Sequence, residues 1–263
     1  MLNANERTHM AITNVTIIGA GTMGNGIAHV FAQYGFAVTL NDIKAEFIER
    51  GLTAIRGNLD RQIKKGALTE EAKNSTLGRI TPSTSLETST RRADLIVEAA
   101  PEEESLKRQL FTALDLNAPS HAILASNTSS ISITRLAAAT RRPDKVIGMH
   151  FMNPVPVMKL VEIIRGYATS NETFQSIAAL SQKLEKVPVE VNDSPGFVSN
   201  RVLLPMINEA VYCVMEGVAT PEAVDMVMKV GMNHPMGPLA LADFIGLDEI
   251  GRASCRERVY VLV

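Results

Sequence analysis

The stretch Asn14-Val-Thr-Ile-Ile-Gly-Ala-Gly-Thr-Met-Gly24 decides the fold. Asn14 to Ile18 has the apolar, β-branched character of a buried strand. Glycines follow at 19, 21 and 24, and then apolar residues at helical spacing, Ile27, Ala28, Phe31 and Ala32. A G-x-G-x-x-G turn between a strand and a helix is the context in which that motif signals dinucleotide binding. Gly19 permits the tight turn, Gly21 lets backbone approach a pyrophosphate, and Gly24 lets helix pack on strand. Ala20, Thr22 and Met23 complete the turn. The pyrophosphate is expected at the helix N-terminus, where free N–H groups and the helix dipole favour an anion.

The next strand, Ala37-Val-Thr-Leu, ends at Asn41-Asp42. Asp42 stands near the spacing of a carboxylate that accepts from both ribose hydroxyls and repels a 2′-phosphate, so NAD is expected over NADP. Lys44, close by, pulls the other way. Further strands are predicted at Ala93–Ala100, Ala122–Ser126, Lys145–Phe151, Val157–Ile164 and Val187–Val191, with a helix through Leu106, Leu110 and Leu114. Thr81 to Thr90, rich in Ser and Thr, reads as a short loop. Strands alternating with helices predict an α/β fold, a doubly wound, mostly parallel Rossmann-type sheet. In such sheets ligands bind beyond the strand C-terminal ends. Gly19–Gly24, Asp42, Glu98–Glu102, Ser126–Ser129 and His150 all fall at such ends.

Composition excludes several function classes. The chain has 263 residues, 46% of them hydrophobic, enough for one large or two ordinary domains. A net charge of −2 gives no bulk field for nucleic acid or an anionic membrane. No apolar run approaches the roughly 20 residues of a membrane span. Met1 to Met10 lacks the layout of a secretory signal and reads as a leader, with Met10 a candidate start. Cys213 and Cys255 form no metal-ligand spacing and no disulfide framework, so no metal and a reducing, cytoplasmic compartment are expected.

The segment His150-Phe-Met-Asn-Pro-Val-Pro-Val-Met-Lys-Leu-Val-Glu162 carries the chemistry. A histidine at a strand end, backed by a carboxylate that fixes its tautomer and stabilises its cation, is a simple general base near neutral pH. The competing reading is a packed histidine beside a surface glutamate, since structural ion pairs look alike in sequence.

These segments together resemble the short-chain L-3-hydroxyacyl-CoA dehydrogenases, most nearly the bacterial 3-hydroxybutyryl-CoA dehydrogenases. The resemblance rests on Ile18-Gly-Ala-Gly-Thr-Met-Gly-Asn-Gly-Ile-Ala28, Val97-Glu-Ala-Ala100, Ala125-Ser-Asn-Thr-Ser-Ser130, the 150–162 segment, Ser194-Pro-Gly-Phe-Val-Ser-Asn-Arg201 and Asn233-His-Pro-Met-Gly-Pro238, in the family's order from about Val15 to Asp248. It implies reversible, NAD-dependent oxidation of a short-chain (3S)-3-hydroxyacyl-CoA, in fatty-acid β-oxidation or butanoate metabolism. It makes His150 the base and Glu162 its partner, with Ser129 and Asn200 near the substrate's C3 oxygen. It assigns NAD contacts to the 19–24 turn, Asp42, Glu102, Lys107, Ser129 and Asn153. It lays coenzyme A along a helix from about Ala45 to Lys65, with Asn58, Lys65 and Ser129 toward the substrate. Asn58 and Lys65 lie two helical turns apart and share a face. Lys64-Lys65 also reads as a plain solvated charge pair.

The expected division is a nucleotide domain over 1–192, with a leader at 1–13, and an all-helical domain over 193–248. The resemblance gives the latter to substrate closure and homodimerisation. A helix through Val198–Met215 is interrupted by Pro205, another starts at Thr220-Pro221, and Asn233–Pro238 is a turn that makes His234 structural. From Glu249 the chain departs from the family. Codons ATC GGA AGA GCG TCG TGT AGG GAA AGA GTG would spell Ile250 to Val259 and coincide with a common sequencing adapter, so 249–263 is expected to be a non-native tail on a truncated domain. Native DNA found at this locus on resequencing would refute that. Two rival readings stand beside the CoA ester. One is a dehydrogenase of a free hydroxy acid or sugar acid on the same fold, opposed by Ser129, His150, Asn200 and Lys65. The other is a non-catalytic dinucleotide-binding relative, opposed by retention of every catalytic position.

Overall fold

A computed structural model describes residues 12–246, so the leader up to Ala11, Asp248, Cys255 and the expected tail lie outside the described residues. The chain divides after Asp193 into two compact units.

The first unit runs β1 Asn14–Ile18, α1 Thr22–Gln33, β2 Ala37–Asn41, α2 Ala45–Lys64, α3 Glu70–Gly78, β3 Ile80–Ser83, α4 Leu86–Thr90, β4 Leu95–Glu98, α5 Glu104–Asn117, β5 Ile123–Ser126, α6 Ile133–Ala137, β6 Val146–Phe151, β7 Leu160–Arg165, α7 Asn171–Lys183 and β8 Val187–Asn192. The eight strands form one sheet in the order β3-β2-β1-β4-β5-β6-β7-β8. Neighbours run parallel except β6 and β7. Chain growth turns back between β1 and β4, so the ligand crevice of a doubly wound sheet opens there.

The core follows from the strand composition. Strands covered on both faces must be apolar throughout, and every residue of β4, β5 and β6 is buried. On α2 the buried residues Ile48, Gly51, Ile55 and Leu59 recur at helical spacing, giving one inward stripe on a solvated helix. Phe31 and Phe36 meet edge to face, centroids 5.4 Å apart, and close the core behind α1.

Three segments differ most from what the sequence predicts. Thr81–Thr90 is not a loop: it lies within edge strand β3 and helix α4. Its polar residues serve backbone, with the Ser85 hydroxyl accepting from Thr88 N–H to cap α4, and Pro82 is tolerated because β3 is an edge. The strand expected from Val157 starts at Leu160, because Val157 and Met158 turn back onto the Pro154 carbonyl. The strand expected over Ala93–Ala100 contracts to Leu95–Glu98, since Ala99 and Ala100 already bend around the Glu98 carboxylate.

The second unit is helical over its described residues: α8 Ser199–Met215, which continues through Pro205, α9 Pro221–Met226, a π-helical turn Val227–Gly231, and α10 Pro238–Ile245. Thr220 caps α9 through its hydroxyl. Asp225 accepts from the N–H groups of Leu239 and Ala240 and so ties α9 to the start of α10. His234 sits in the intervening turn, its N–H donating to Met228 O.

Candidate active site

His150 and Glu162 are registered opposite one another on β6 and β7. Directly opposed side chains of an antiparallel pair share a face and lie close. His150 Nδ1 is 2.8 Å from Glu162 Oε2, and both residues are buried, 6% and 2% exposed. A carboxylate at Nδ1 holds the proton on that nitrogen and leaves Nε2 as the basic lone pair; the tautomer is assigned from these partners. Nε2 is 3.0 Å from Ser129 Oγ, on the turn after β5. The surface-glutamate alternative is excluded by Glu162's burial.

The turn that carries Ser129 is held by Glu102, whose Oε1 accepts from Ser129 N–H at 2.9 Å, Ser130 N–H and Oγ at 3.0 Å each, and the Thr128 hydroxyl. Burial alone would raise the Glu102 carboxyl, but the Lys107 ammonium and the hydrogen bonds from Thr128, Ser130 and Ser129 outweigh it and hold it below the usual carboxylate range. Lys107 is itself 1% exposed. Its Nζ donates to Glu98 Oε1 at 2.6 Å and Ala100 O at 3.1 Å, with Glu102 Oε2 at 3.4 Å. Glu98 also accepts from Ser126 Oγ at 2.6 Å. Lys107 thus braces the turn from beneath.

At the head of β1, Gly19 has φ +99°, and a β-carbon there would stand 2.6 Å from Ala99 O. One at Gly24 would stand 1.7 Å from Gly19 O, so only glycine lets α1 pack on this turn. Around Gly21 the space is open, with nothing within 4 Å of an added β-carbon. The first turn of α1 has no side-chain cap. Open room above uncapped N–H groups fits a pyrophosphate. Asp42 follows β2, and its Oδ2 accepts from Ala20 N–H at 2.7 Å, which fixes the carboxylate beside the turn.

The remaining predicted positions are more dispersed. Asn153 is exposed in the β6–β7 loop. Asn58 lies on α2 with its Oδ1 accepting from the Arg61 guanidinium, while Lys65 is the exposed C-cap residue of that helix. Asn200 is in the first turn of α8, in the second unit, its N–H donating to Gly196 O. Among the described residues, no helix is long and apolar enough to cross a membrane.

The model of the 3-hydroxyacyl-CoA dehydrogenase NAD-binding domain matches residues 14–194, and that of the 3-hydroxyacyl-CoA dehydrogenase C-terminal domain matches residues 196–260. The chain belongs to this family. It is an NAD-dependent oxidoreductase. The chain is 58% identical to a probable 3-hydroxybutyryl-CoA dehydrogenase of Bacillus subtilis over 239 residues, 91% of this chain and 83% of that protein. It is 54% identical to a 3-hydroxybutyryl-CoA dehydrogenase of Bradyrhizobium diazoefficiens over 237 residues, 90% and 80% of the two chains. A crystal structure of (S)-3-hydroxybutyryl-CoA dehydrogenase from Ralstonia eutropha superposes with a TM-score of 0.89 at 51% identity, covering 92% of this chain and 86% of that one. The C-terminal match passes Glu249, so the origin of the tail rests on resequencing the locus.

Within this dehydrogenase, the sequence places Glu98 and residues 126–129 at the ligand rim but does not show their role as braces. Asn127 is one: its Oδ1 accepts from Phe151 N–H at 2.9 Å and ties the end of β5 to the residue after His150. Glu98, Ser126 and Thr128 are others. Their signal is the run of small polar residues at 126–130, and the carboxylate ending an apolar strand.

Proposed function

We propose that this dehydrogenase oxidises a short-chain (3S)-3-hydroxyacyl-CoA, 3-hydroxybutyryl-CoA or a close analogue, to the 3-ketoacyl-CoA, and runs the reverse reduction. The observation that carries the reading is the chain Glu162 Oε2–His150 Nδ1, His150 Nε2–Ser129 Oγ, at 2.8 and 3.0 Å, at the C-terminal rim of the parallel strands.

In the oxidation, His150 Nε2 removes the C3 hydroxyl proton as hydride leaves C3. NAD, when bound, supplies the hydride acceptor at its nicotinamide ring. Glu162 stabilises the imidazolium and holds the ring in place. Ser129 orients the reacting oxygen through the hydrogen bond it shares with Nε2. In the reduction the imidazolium returns the proton to the alkoxide. The 19–24 turn, Asp42, Glu102, Ser129 and Asn153 hold the dinucleotide, with Lys107 acting behind Glu102. Asn58 and Lys65 hold coenzyme A, and Ser129 faces both ligands. A homodimer or larger assembly and a cytoplasmic location go with this reading, as do a nucleotide domain over 1–192 and a helical domain from 193.

The test is oxidation of NADH with acetoacetyl-CoA, with NADPH and free acetoacetate as comparators. Turnover confined to NADH and the CoA ester supports the reading. Equal turnover of free acetoacetate would sink the CoA assignment, and no turnover by a chain that binds NADH would sink the reaction.

A further inference from the structure

The nucleotide motif is complete at Gly24, yet α1 carries another glycine two residues on, Gly26. Glycine is among the poorest helix formers, so a helix-interior glycine asks for a packing reason. A β-carbon at Gly26 would lie 3.0 Å from both Cβ and Cγ2 of Val155, and 3.8 Å from Pro156 Cδ. The notch left by the missing side chain is thus filled by Val155, which is 2% exposed.

Val155 belongs to the loop between β6 and β7, two residues after Asn153. That loop is exposed at Asn153, Pro154, Val157 and Met158, so Val155 is its buried anchor. Lys186, just before β8, grips the same loop by its backbone. Its Nζ donates to Val155 O at 2.6 Å and to Met158 O at 2.7 Å, and the residue is 7% exposed. A buried ammonium is costly unless hydrogen-bonded, so the two carbonyls fix Lys186 and are fixed by it. Three elements therefore meet on one loop residue: the nucleotide-binding helix through Gly26, the lead-in to β8 through Lys186, and the loop itself.

We propose that Val155, seated in the Gly26 notch and held by Lys186, is the positioning device that sets Asn153 at the correct height above the nucleotide turn. The proposal rests on the reading of Asn153 as a cofactor contact. Gly26, Val155 and Lys186 are positioning residues: their effect reaches the dinucleotide through the loop. Filling the notch must lift the loop by a fraction of an ångström, and a displacement of about 1 Å at a positioned group can cost as much as 10²-fold.

The experiment measures NADH affinity of the full chain by titration calorimetry, so it does not depend on turnover. Gly26→Ala is expected to weaken NADH binding roughly tenfold. Adding Val155→Ala in the same chain removes the close Cγ2 but keeps the Cβ at 3.0 Å, so it should recover part of the lost affinity. Lys186→Met should weaken NADH binding to a similar degree by releasing the loop with Gly26 unchanged. A merely structural role would lower the melting temperature of these variants and leave the affinity of the folded protein unchanged, and that result overturns the proposal. So does a Gly26→Ala loss that Val155→Ala leaves wholly unimproved. If Gly26→Ala does not fold, Lys186→Met decides alone, with unchanged affinity counting against. Asn153→Ala separates the underlying reading: unchanged affinity there removes the cofactor role of Asn153, and with it the purpose of the latch. A parent chain that binds NADH without reducing acetoacetyl-CoA removes the proposed reaction but leaves the latch standing.

Discussion

His150 and Glu162 face each other across the β6–β7 ladder, the one antiparallel pairing in the sheet among the described residues. The reversal matters because a parallel neighbour would slant its hydrogen bonds and stagger the two side chains. Here the carboxylate arrives directly opposite the imidazole, at 2.8 Å. His150→Gln should lower turnover by at least about 10²-fold, the lower range for general acid–base catalysis. Glu162→Gln should lower it too, with substrate KM little changed, because the imidazolium is stabilised chiefly on the way to the transition state. Steady-state kinetics of 3-hydroxybutyryl-CoA oxidation with NAD checks both, and a His150→Gln loss under about tenfold would remove the histidine from its role.

The same ladder sets a steric limit at Gly148. A β-carbon there would stand 2.7 Å from Ile164 Cβ and 3.0 Å from Ile164 Cδ1. Gly148→Ala should therefore push β7 from β6 and destabilise the protein by about 1–3 kcal/mol, the usual range for overpacking. Thermal melting should show the drop. A melting temperature unmoved by Gly148→Ala would contradict the close approach of the two strands.

Asp42 Oδ2 accepts from Ala20 N–H at 2.7 Å, and on the proposed reading its charge opposes a 2′-phosphate. Asp42→Ala is expected to cut the preference for NADH over NADPH by about tenfold or more, one unit of charge repulsion and two ribose hydrogen bonds being removed. The ratio of kcat/KM for the two cofactors measures it. A ratio unchanged by the substitution would mean that another group sets the choice.

His29 is expected to couple stability to pH. It lies on α1, fully buried, beside Gln33 and Gln62, and its Nδ1 has no hydrogen-bond partner among the described residues. Burial drives its pKa down from 6.5 to about 4, a hydrogen bond with Gln33 opposes this, and the nearby Lys186 ammonium adds to the fall. A histidine depressed in the folded state favours the fold while neutral. Its contribution is whole above the unfolded value near 6.5 and is lost as pH falls toward 4. The differential amounts to about 3 kcal/mol. His29→Leu, which cannot protonate, should make stability less steep in pH across that window in denaturant titrations at pH 4.5 and 7. An identical slope in both proteins would show that His29 does not couple folding to protons.

Much of this molecule is legible in its amino-acid order. The glycine spacing at 19, 21 and 24 follows from where backbone must approach backbone, and local sequence suffices to show it. Apolar runs of strand length separated by helical periodicity give the parallel sheet, because both faces of such strands are covered. Thr81–Thr90 reads wrongly as a loop because its Ser and Thr residues serve capping and edge pairing, which look like loop composition until partners are known. The brace beneath Ser129 is hidden for a similar reason. Glu98, Glu102, Lys107 and Ser126 come from different strands, helices and turns, and their pairing is settled by strand order. Likewise only the fold turns Glu162 from a residue inside an apolar run into the direct neighbour of His150, since register across an antiparallel pair is a long-range property. Sequence by itself determined most of the strands and which cofactor the first turn accepts, since both are local backbone and side-chain preferences. Tertiary structure alone decided which side chains meet, because that depends on how the strands are ordered and how the loops close over their ends.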